Sequence, residues 1–402
     1  MSSGEVISVS KVGMLDGGYT TAFRLCVGAL LAALLAGGAD WPIYRGDARL
    51  SGRAGGTLPE TPVRLWSVSL GRTLKSSPVV SGGRIVIGAD DETLRCLALD
   101  SGKALWQFKT TGTVEGPALI SADLALVGTD KGVLHAVALA TGESRWSFKA
   151  EDRIVGGANL ALAADGSRRL LVGSYDMKLY CLSAATGAKL WSFETANYVN
   201  ATPAVEGPRV IFGGCDGLLH ILSAEDGHEY RSVEAGSYVA APVAVENGRA
   251  YLGQYGGEVL CVDLETAAVR WRVSPGTAAE AILGPLAICG DQVVAGSRDG
   301  SVYALDRATG ATRWSYRSGG AVDSGAVACG ERVLFGSADG RVYLLSAKDG
   351  AKLWSYEIGA AVSTAPAVVD GCFLVGAEDG SLHAFGVATA PVTGDPTTGG
   401  GR

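Results

Sequence analysis

A chain of 402 residues with a formal net charge of −7 and only 19% charged side chains carries no basic stripe for phosphates, so nucleic acid is excluded as an expected partner. Glycine is abundant at 58 residues, yet 47% of the chain is hydrophobic. That balance excludes low-complexity disorder and indicates a turn-dense, all-β globule.

In chain order, residues 25–36 (LCVGALLAALLA) follow Arg24 and form an apolar run of 12. This is short of the ~18 or more residues that a membrane helix needs, and it reads as a secretory leader cleaved near Ala39. A periplasmic or secreted protein is expected, tied to a membrane only if the leader stays uncut. Glu5 and Asp16 precede the run, and a start at Met14 would make a more ordinary leader. Cys26 begins the apolar run instead of following it, which argues against lipidation. The expected organisation is a leader over 1–39, a polar, Gly-rich connector over 40–61, one repeat domain over 62–387 and a disordered tail over 388–402.

The repeat is plainest from Gly336 to Trp354, GSADGRVYLLSAKDGAKLW. A Gly closes an apolar run, an Asp-Gly turn follows, then an alternating segment, a second turn and a Trp, the pattern of strand, turn, strand, turn, strand. The Gly recurs at Gly88, Gly128, Gly173, Gly213, Gly253, Gly296, Gly336 and Gly376, spaced by 40, 45, 40, 40, 43, 40 and 40 residues. Such a period predicts one closed ring of repeats instead of several domains. Before each Gly, another short strand opens with Pro (78, 117, 203, 242, 285, 366) or with Ala158 or Ala326, as suits the start of an inner strand near a crowded axis. Each unit thus supplies four short strands, and the fold expected is an eight-bladed β-propeller of four-stranded antiparallel blades.

Six units carry a Trp eighteen residues after the Gly: Trp106, Trp146, Trp191, Trp271, Trp314 and Trp354. Their rings are expected to wedge between neighbouring blades. The fourth unit has Arg231 there and the eighth Thr393, while Trp66 stands before the first unit with no Gly of its own. The strand around Trp66 is therefore expected to close the eighth blade, so that both chain ends share one sheet.

The pattern G-x-x-D-G-x-h-x-h-h-x-x-x-T-G-x-x-x-W, with Thr141-Gly142, Thr186-Gly187 and Thr309-Gly310 before their Trp residues, resembles the tryptophan-docking repeat of the pyrroloquinoline-quinone-type propellers. The resemblance covers about residues 41–387 and includes Trp41-Pro42 and Arg45-Gly46, similar to the opening of BamB-like proteins. It implies the propeller fold. For function it leaves both the quinoprotein dehydrogenases and the non-catalytic BamB-like outer-membrane assembly factors in play.

Eight Cys include no adjacent pair and no Cys-x-x-Cys. Cys96, Cys181 and Cys261 share one place in non-neighbouring units, as small core residues would, and a bridge between Cys289 and Cys329 is not expected. His135, His220 and His383 lie seven residues after a repeat Gly in three separate units, too scattered for one metal ion. Asp90, Asp130, Asp176, Asp216, Asp299, Asp339 and Asp379 each head a turn, where a carboxylate bonds local N–H groups. No metal site and no catalytic set are expected.

The variable residues before each inner strand are the expected partner-binding mouth: Lys75, Glu115, Arg153, Asn200, Tyr238, Glu280, Asp323 and Ser363. Of these, Glu115, Asn200 and Asp323 have the oxygen types that a calcium-bound quinone would need, but they come from scattered units without a matching motif. The family's enzymes also carry an adjacent-Cys disulfide and long insertions, which this chain lacks. The function expected is a monomeric, non-enzymatic scaffold in the cell envelope with protein partners and no cofactor. A minimal quinone-dependent oxidoreductase, using pyrroloquinoline quinone with calcium, is the alternative, and an extracytoplasmic sensor domain the third reading.

Overall fold

The computed structural model describes residues 40–276, 280–369 and 371–387. The stretches expected to be a leader and a tail, with Cys26 and Thr393, lie outside them. Every element in this span is a strand. Eight antiparallel sheets follow one another, the first built from Val79–Ser81, Arg84–Ala89, Thr93–Ala98 and Ala104–Lys109. They form an eight-bladed propeller. None of its helix-free span offers a helix long and apolar enough to cross a membrane.

Burial follows strand position. The second and third strands of a blade are buried nearly throughout, as in Arg332–Gly336 and Arg341–Ser346, because each blade is sandwiched between two neighbours. The outer strands are more exposed and tend to alternate, as in Ala104–Lys109, the pattern of a sheet wet on one face.

The recurring Gly is explained by the next blade. A β-carbon on Gly296 would lie 2.6 Å from Val322 Cγ1, and those on Gly88, Gly128, Gly213, Gly253 and Gly336 would likewise run into Val114, Ile154, Val239, Ile282 and Val362. Each partner is a β-branched residue of the following blade's first loop, buried to 0–1% exposure.

The Trp residues dock in the same direction. The indole N–H of Trp66, Trp106, Trp191 and Trp314 donates to Leu99, Leu139, Ala224 and Ala347 of the next blade at 3.0, 2.8, 3.3 and 2.9 Å, and Trp271 donates to Arg307 at 3.0 Å. Each ring lies flat against that blade's turn glycine, as Trp314 does on Gly350 (φ +73°), and Trp146 stacks likewise on Gly187. Trp354 differs: it meets Phe373 and Phe385 edge-on, with ring centroids 6.1 and 5.6 Å away, and the matching positions of the eighth unit lie outside the described residues.

Arg231 is accounted for by the same geometry. At the place in the next unit where the docking Trp residues of other units meet a turn glycine stands Ala267, at φ +59°. A methyl group there occupies the space that an indole would need, so Trp and Gly are lost together and the exposed Arg231 takes their place.

The seam closes as the sequence predicts. Val63–Ser69 pairs antiparallel with Ser381–Gly386, with Trp66 opposite Ala384 and Val68 opposite Leu382. Trp66 then docks onto the first blade, so the join is latched on both sides.

The stretch read as a connector does more than connect. Residues 41–54 run around one end of the channel and bond the inner strands in succession. The amides of Val80, Ile120, Val205, Val245, Ile288 and Ala328 donate to carbonyls of Trp41, Pro42, Ala48, Arg49, Ser51 and Gly52 at 2.7–2.9 Å. In the third blade Asn159 substitutes, its side-chain amide donating to Ala48 at 2.7 Å and its Oδ1 accepting from Leu160 at 2.6 Å. Trp41, Ile43 and Leu50 insert into three different blade cores, and Arg53–Ala54 adds a parallel strand to Val327–Cys329 of the seventh blade.

All seven described cysteines are free, five of them buried. Burial pushes the thiols of Cys96 and Cys181 up to about 11 and about 12, so little nucleophilic thiolate exists near neutrality.

Two outcomes follow from this packing. Arg231→Trp should destabilise the ring while Ala267→Gly alone gains little, and the double variant should recover a favourable coupling of about 1–3 kcal/mol in denaturant unfolding; additive effects would contradict the docking geometry. Native alkylation at pH 8 should leave Cys96, Cys181 and Cys261 unmodified until the ring unfolds, as read by peptide mass spectrometry.

Candidate functional site

The end of the channel away from residues 41–54 opens into an axial cavity of about 200 Å³. Its rim takes one residue from each blade, thirteen positions before the repeat Gly (eighteen in the third, whose first hairpin is longer): Lys75, Glu115, Val155, Asn200, Ala240, Leu283, Asp323 and Ser363. A second tier of small or ring-shaped residues, among them Ser77, Pro117, Gly157, Thr202, Pro242 and Pro285, sits beneath, and Tyr44 reaches in from the encircling segment.

Five of the mouth residues predicted from sequence line this cavity: Lys75, Glu115, Asn200, Asp323 and Ser363. Arg153, Tyr238 and Glu280 do not; they fall two or three positions earlier, where Val155, Ala240 and Leu283 take the rim. The phase was readable: a Val or Ile that packs over the repeat Gly stands immediately before the rim residue in seven units, as in Ile154-Val155, Val239-Ala240 and Ile282-Leu283, a recurrence the sequence reading passed over.

The charges at the rim are paired. Lys75 Nζ stands 3.3 Å from Glu115 Oε1 and Arg298 Nε 3.1 Å from Asp323 Oδ2, and Asp323 raises the Arg298 pKa by that hydrogen bond. Asn200 holds a buried Oδ1 without a partner. Burial raises the Tyr44 hydroxyl pKa, opposed by Arg45 and by a hydrogen bond with Ser77.

Around the rim the pseudo-symmetry breaks on one side. Fifteen positions before the repeat Gly and two after it, the first two blades carry Thr and Asp, and the last two Ala with Ala or Glu. Blades three to five instead bring Arg153, Tyr175, Tyr198, Tyr238 and Tyr255 to the same surface. The backbone joins these positions in pairs: Tyr175 N donates to Arg153 O at 2.9 Å, and Tyr255 N to Tyr238 O at 3.0 Å. Tyr175 and Tyr198 stack across two blades with centroids 4.7 Å apart, the Arg153 guanidinium lies 4.4 Å from the Tyr175 centroid, and Tyr238 meets Tyr255 at 6.5 Å. Tyr198, Tyr238 and Tyr255 are 44%, 53% and 52% exposed. Sequence reasoning found Arg153 and Tyr238 and missed the other three, although their departure from the Asp or Ala of other units was a readable signal.

The histidine and aspartate sets bond within their own hairpins and to the loop that leads into the same blade, Asp90 accepting from Arg72 N and Thr73 N and Asp130 from Thr113 N. His220 lies between Asp216 Oδ2 and Glu229 Oε1, at 2.9 and 2.7 Å, His135 sits 3.1 Å from Thr111 Oγ1, and His383 2.7 Å from Ser381 Oγ. Asp339 accepts from Gly319 N at 2.7 Å, Arg341 N at 3.0 Å and the Tyr343 hydroxyl at 2.6 Å. Burial first, and that bond second, raises the Tyr343 pKa. Asp299 holds Tyr303, and Asp176 holds Tyr180, in the same way at 2.7 and 2.8 Å. No three His, Cys, Asp or Glu side chains among the described residues are grouped as a metal site would require.

The sequence profile of one family, described as outer membrane protein assembly factor BamB, matches over residues 57–159, 130–237 and 216–390. The chain belongs to this BamB family. Overlapping matches are what a tandem repeat produces when a multi-blade profile slides along it. No curated protein matches the sequence significantly. Among solved structures, BamB from Moraxella catarrhalis is similar over 81% of this chain and 98% of its own, at 21% identity and a TM-score of 0.69. The computationally designed Ika8 protein is similar over 81% and 99%, at 20% identity and 0.71. The quinohemoprotein alcohol dehydrogenase from Comamonas testosteroni is similar over 92% and 84%, at 14% identity and 0.72. Identities this low establish a shared propeller and nothing finer.

Asp339→Ala should cost about 1–3 kcal/mol, because two loop amides and a buried phenol lose their acceptor. If these carboxylates are turn caps and not cation ligands, millimolar calcium should leave the melting temperature of the unaltered protein where it was.

Proposed function

We propose that this BamB-family propeller is a non-enzymatic interaction scaffold of the bacterial cell envelope, and that a protein partner docks on the mouth face across blades three to five. The observation that carries this is the arc of Arg153, Tyr175, Tyr198, Tyr238 and Tyr255, aromatic and guanidinium groups, all exposed but the half-buried Tyr175, concentrated on three adjacent blades of an otherwise repetitive ring. Tyr and Arg are the residue types that dominate binding hot spots, since they bring large contact area with few rotors to immobilise. Their pre-stacked arrangement on strand-anchored loops lowers the ordering cost of association. An envelope location agrees with the leader-like residues 25–36.

The quinone-dependent alternative draws less support from the cavity. Glu115, Asn200 and Asp323 do share it, but each carboxylate is engaged by a cation, Lys75 or Arg298. The volume of about 200 Å³ is also below the roughly 300–1,000 Å³ usual for a cofactor or drug-sized ligand. These residues do not fit a calcium-bound quinone.

Affinity capture from envelope extract should retain a partner on the unaltered protein and on Tyr230→Ala, an exposed position on the fourth blade's outer strand. Capture should fall by about 30-fold, equivalent to about 2 kcal/mol, for the Tyr238→Ala, Tyr255→Ala double variant. Equal capture by both variants would remove the mouth face from the account. Quinone and calcium added to the purified protein should produce neither a bound-cofactor spectrum nor dye reduction; turnover would establish the oxidoreductase instead.

A further inference from the structure

The third unit departs furthest from the common period, with 45 residues from Gly128 to Gly173 where most units take 40. The added length lies in its first hairpin. Strands Asn159–Leu162 and Arg168–Gly173 are joined by residues 163–167, whereas the first blade joins Val79–Ser81 to Arg84–Ala89 through Gly82 and Gly83 alone. The inner strand Asn159–Leu162 leads away from the mouth loop that carries Arg153, so this hairpin stands at the opposite, encircled end of the blade. A length inserted into one repeat is not needed to stack the blades and is free to make contacts of its own.

This hairpin holds Leu162 at 69% exposure, above every other large apolar side chain among the described residues. Beside it, between this hairpin and the shorter one of the fourth blade, lies an open crevice of about 330 Å³ walled by Ala163, Ala164, Gly207, Pro208 and Ala224. A bare leucine next to an apolar crevice marks a surface that gains by being covered. The hairpin also presents one exposed charge of each sign. Asp165 accepts from Ser167 N at 2.8 Å, and Arg168 Nη1 donates to Ser121 Oγ at 3.2 Å. Neither makes a salt bridge among the described residues, while the adjacent Arg169 is paired with Glu225.

A protruding side chain, a crevice of matching polarity, an unpaired cation and an unpaired anion on one hairpin together make a self-complementary patch. Two-fold association demands such a patch, because each feature of one copy must meet its complement on the other. We propose that this hairpin is an isologous contact between two copies of the chain, with Leu162 of each copy seated in the crevice of the other and Arg168 opposite Asp165. A dimer then takes the place of the monomer expected from the sequence. It leaves both mouth faces free, so one dimer holds two docking faces. A hairpin and a crevice make a small contact beside the ~1,200–2,000 Å² of stable interfaces, so the association is weak, with a Kd on the order of 10 µM.

Sedimentation velocity of the purified full-length protein from about 1 to about 200 µM, a range that brackets this Kd, tests the proposal. It should show a reversible monomer–dimer equilibrium. Leu162→Asp should weaken the dimer at least about tenfold with the melting temperature unchanged, since the side chain is exposed. Arg168→Asp and Asp165→Arg should each weaken it alone, because like charges then meet twice across the two-fold axis. Mixed in equal amounts, the two charge variants should dimerise again, since both contacts then join opposite charges. A protein monomeric throughout the range, a dimer indifferent to Leu162→Asp, or a mixture no better than its components would overturn the contact. If either charge variant does not fold, Leu162→Asp decides.

Discussion

Neighbouring blades approach so closely that a single carbon atom is too many. Val322 over Gly296, and its counterparts around the ring, leave no space for a β-carbon, and the indole of Trp314 lies on Gly350 with the same economy. The letters that recur along this chain are therefore contacts between blades, not requirements of a blade by itself. A blade taken alone would expose both faces of its two middle strands, which are buried nearly throughout. Stability belongs to stacked neighbours, as in other repeat proteins, and a ring differs from an open array in having no exposed terminal repeat. Here Val63–Ser69 completes the last sheet and Trp66 grips the first, so the constraint is met around the full circle.

Much of this was legible in the sequence because interface contacts repeat. The glycines counted the blades, and the solitary Trp66 pointed to the seam. Other features occur once and left no period to follow. Residues 41–54 read as a polar connector because their work is done by backbone carbonyls, which no side-chain pattern reports. Arg231 is explained only by a distant residue, Ala267, which stands thirty-six positions on where other units carry the glycine that takes an indole. The rim was found in five blades and missed in three because the Val or Ile before it was passed over, not because a period was lacking.

The two ends of the channel have diverged. One is sealed by a segment that satisfies inner-strand amides in turn and inserts Trp41, Ile43 and Leu50 between blades. The other is open, with paired charges on its rim and tyrosines gathered on one arc. Rigidity on one side and asymmetric decoration on the other are the features on which the proposed scaffold role rests. The quinohemoprotein dehydrogenase from Comamonas testosteroni shares the ring, which shows how little the propeller itself decides about chemistry.

Backbone amide hydrogen exchange under native conditions tests the closed, encircled ring most directly. If residues 41–54 lock the blades into one cooperative unit, the amides of Val80, Ile120, Val205, Val245, Ile288 and Ala328 should exchange together, only through global unfolding. Val368, the matching amide of the eighth blade, makes no such bond to this segment among the described residues and should exchange faster. Rapid exchange of all seven, with the blade interiors still protected, would show that the segment detaches from a ring that holds without it and would contradict the account.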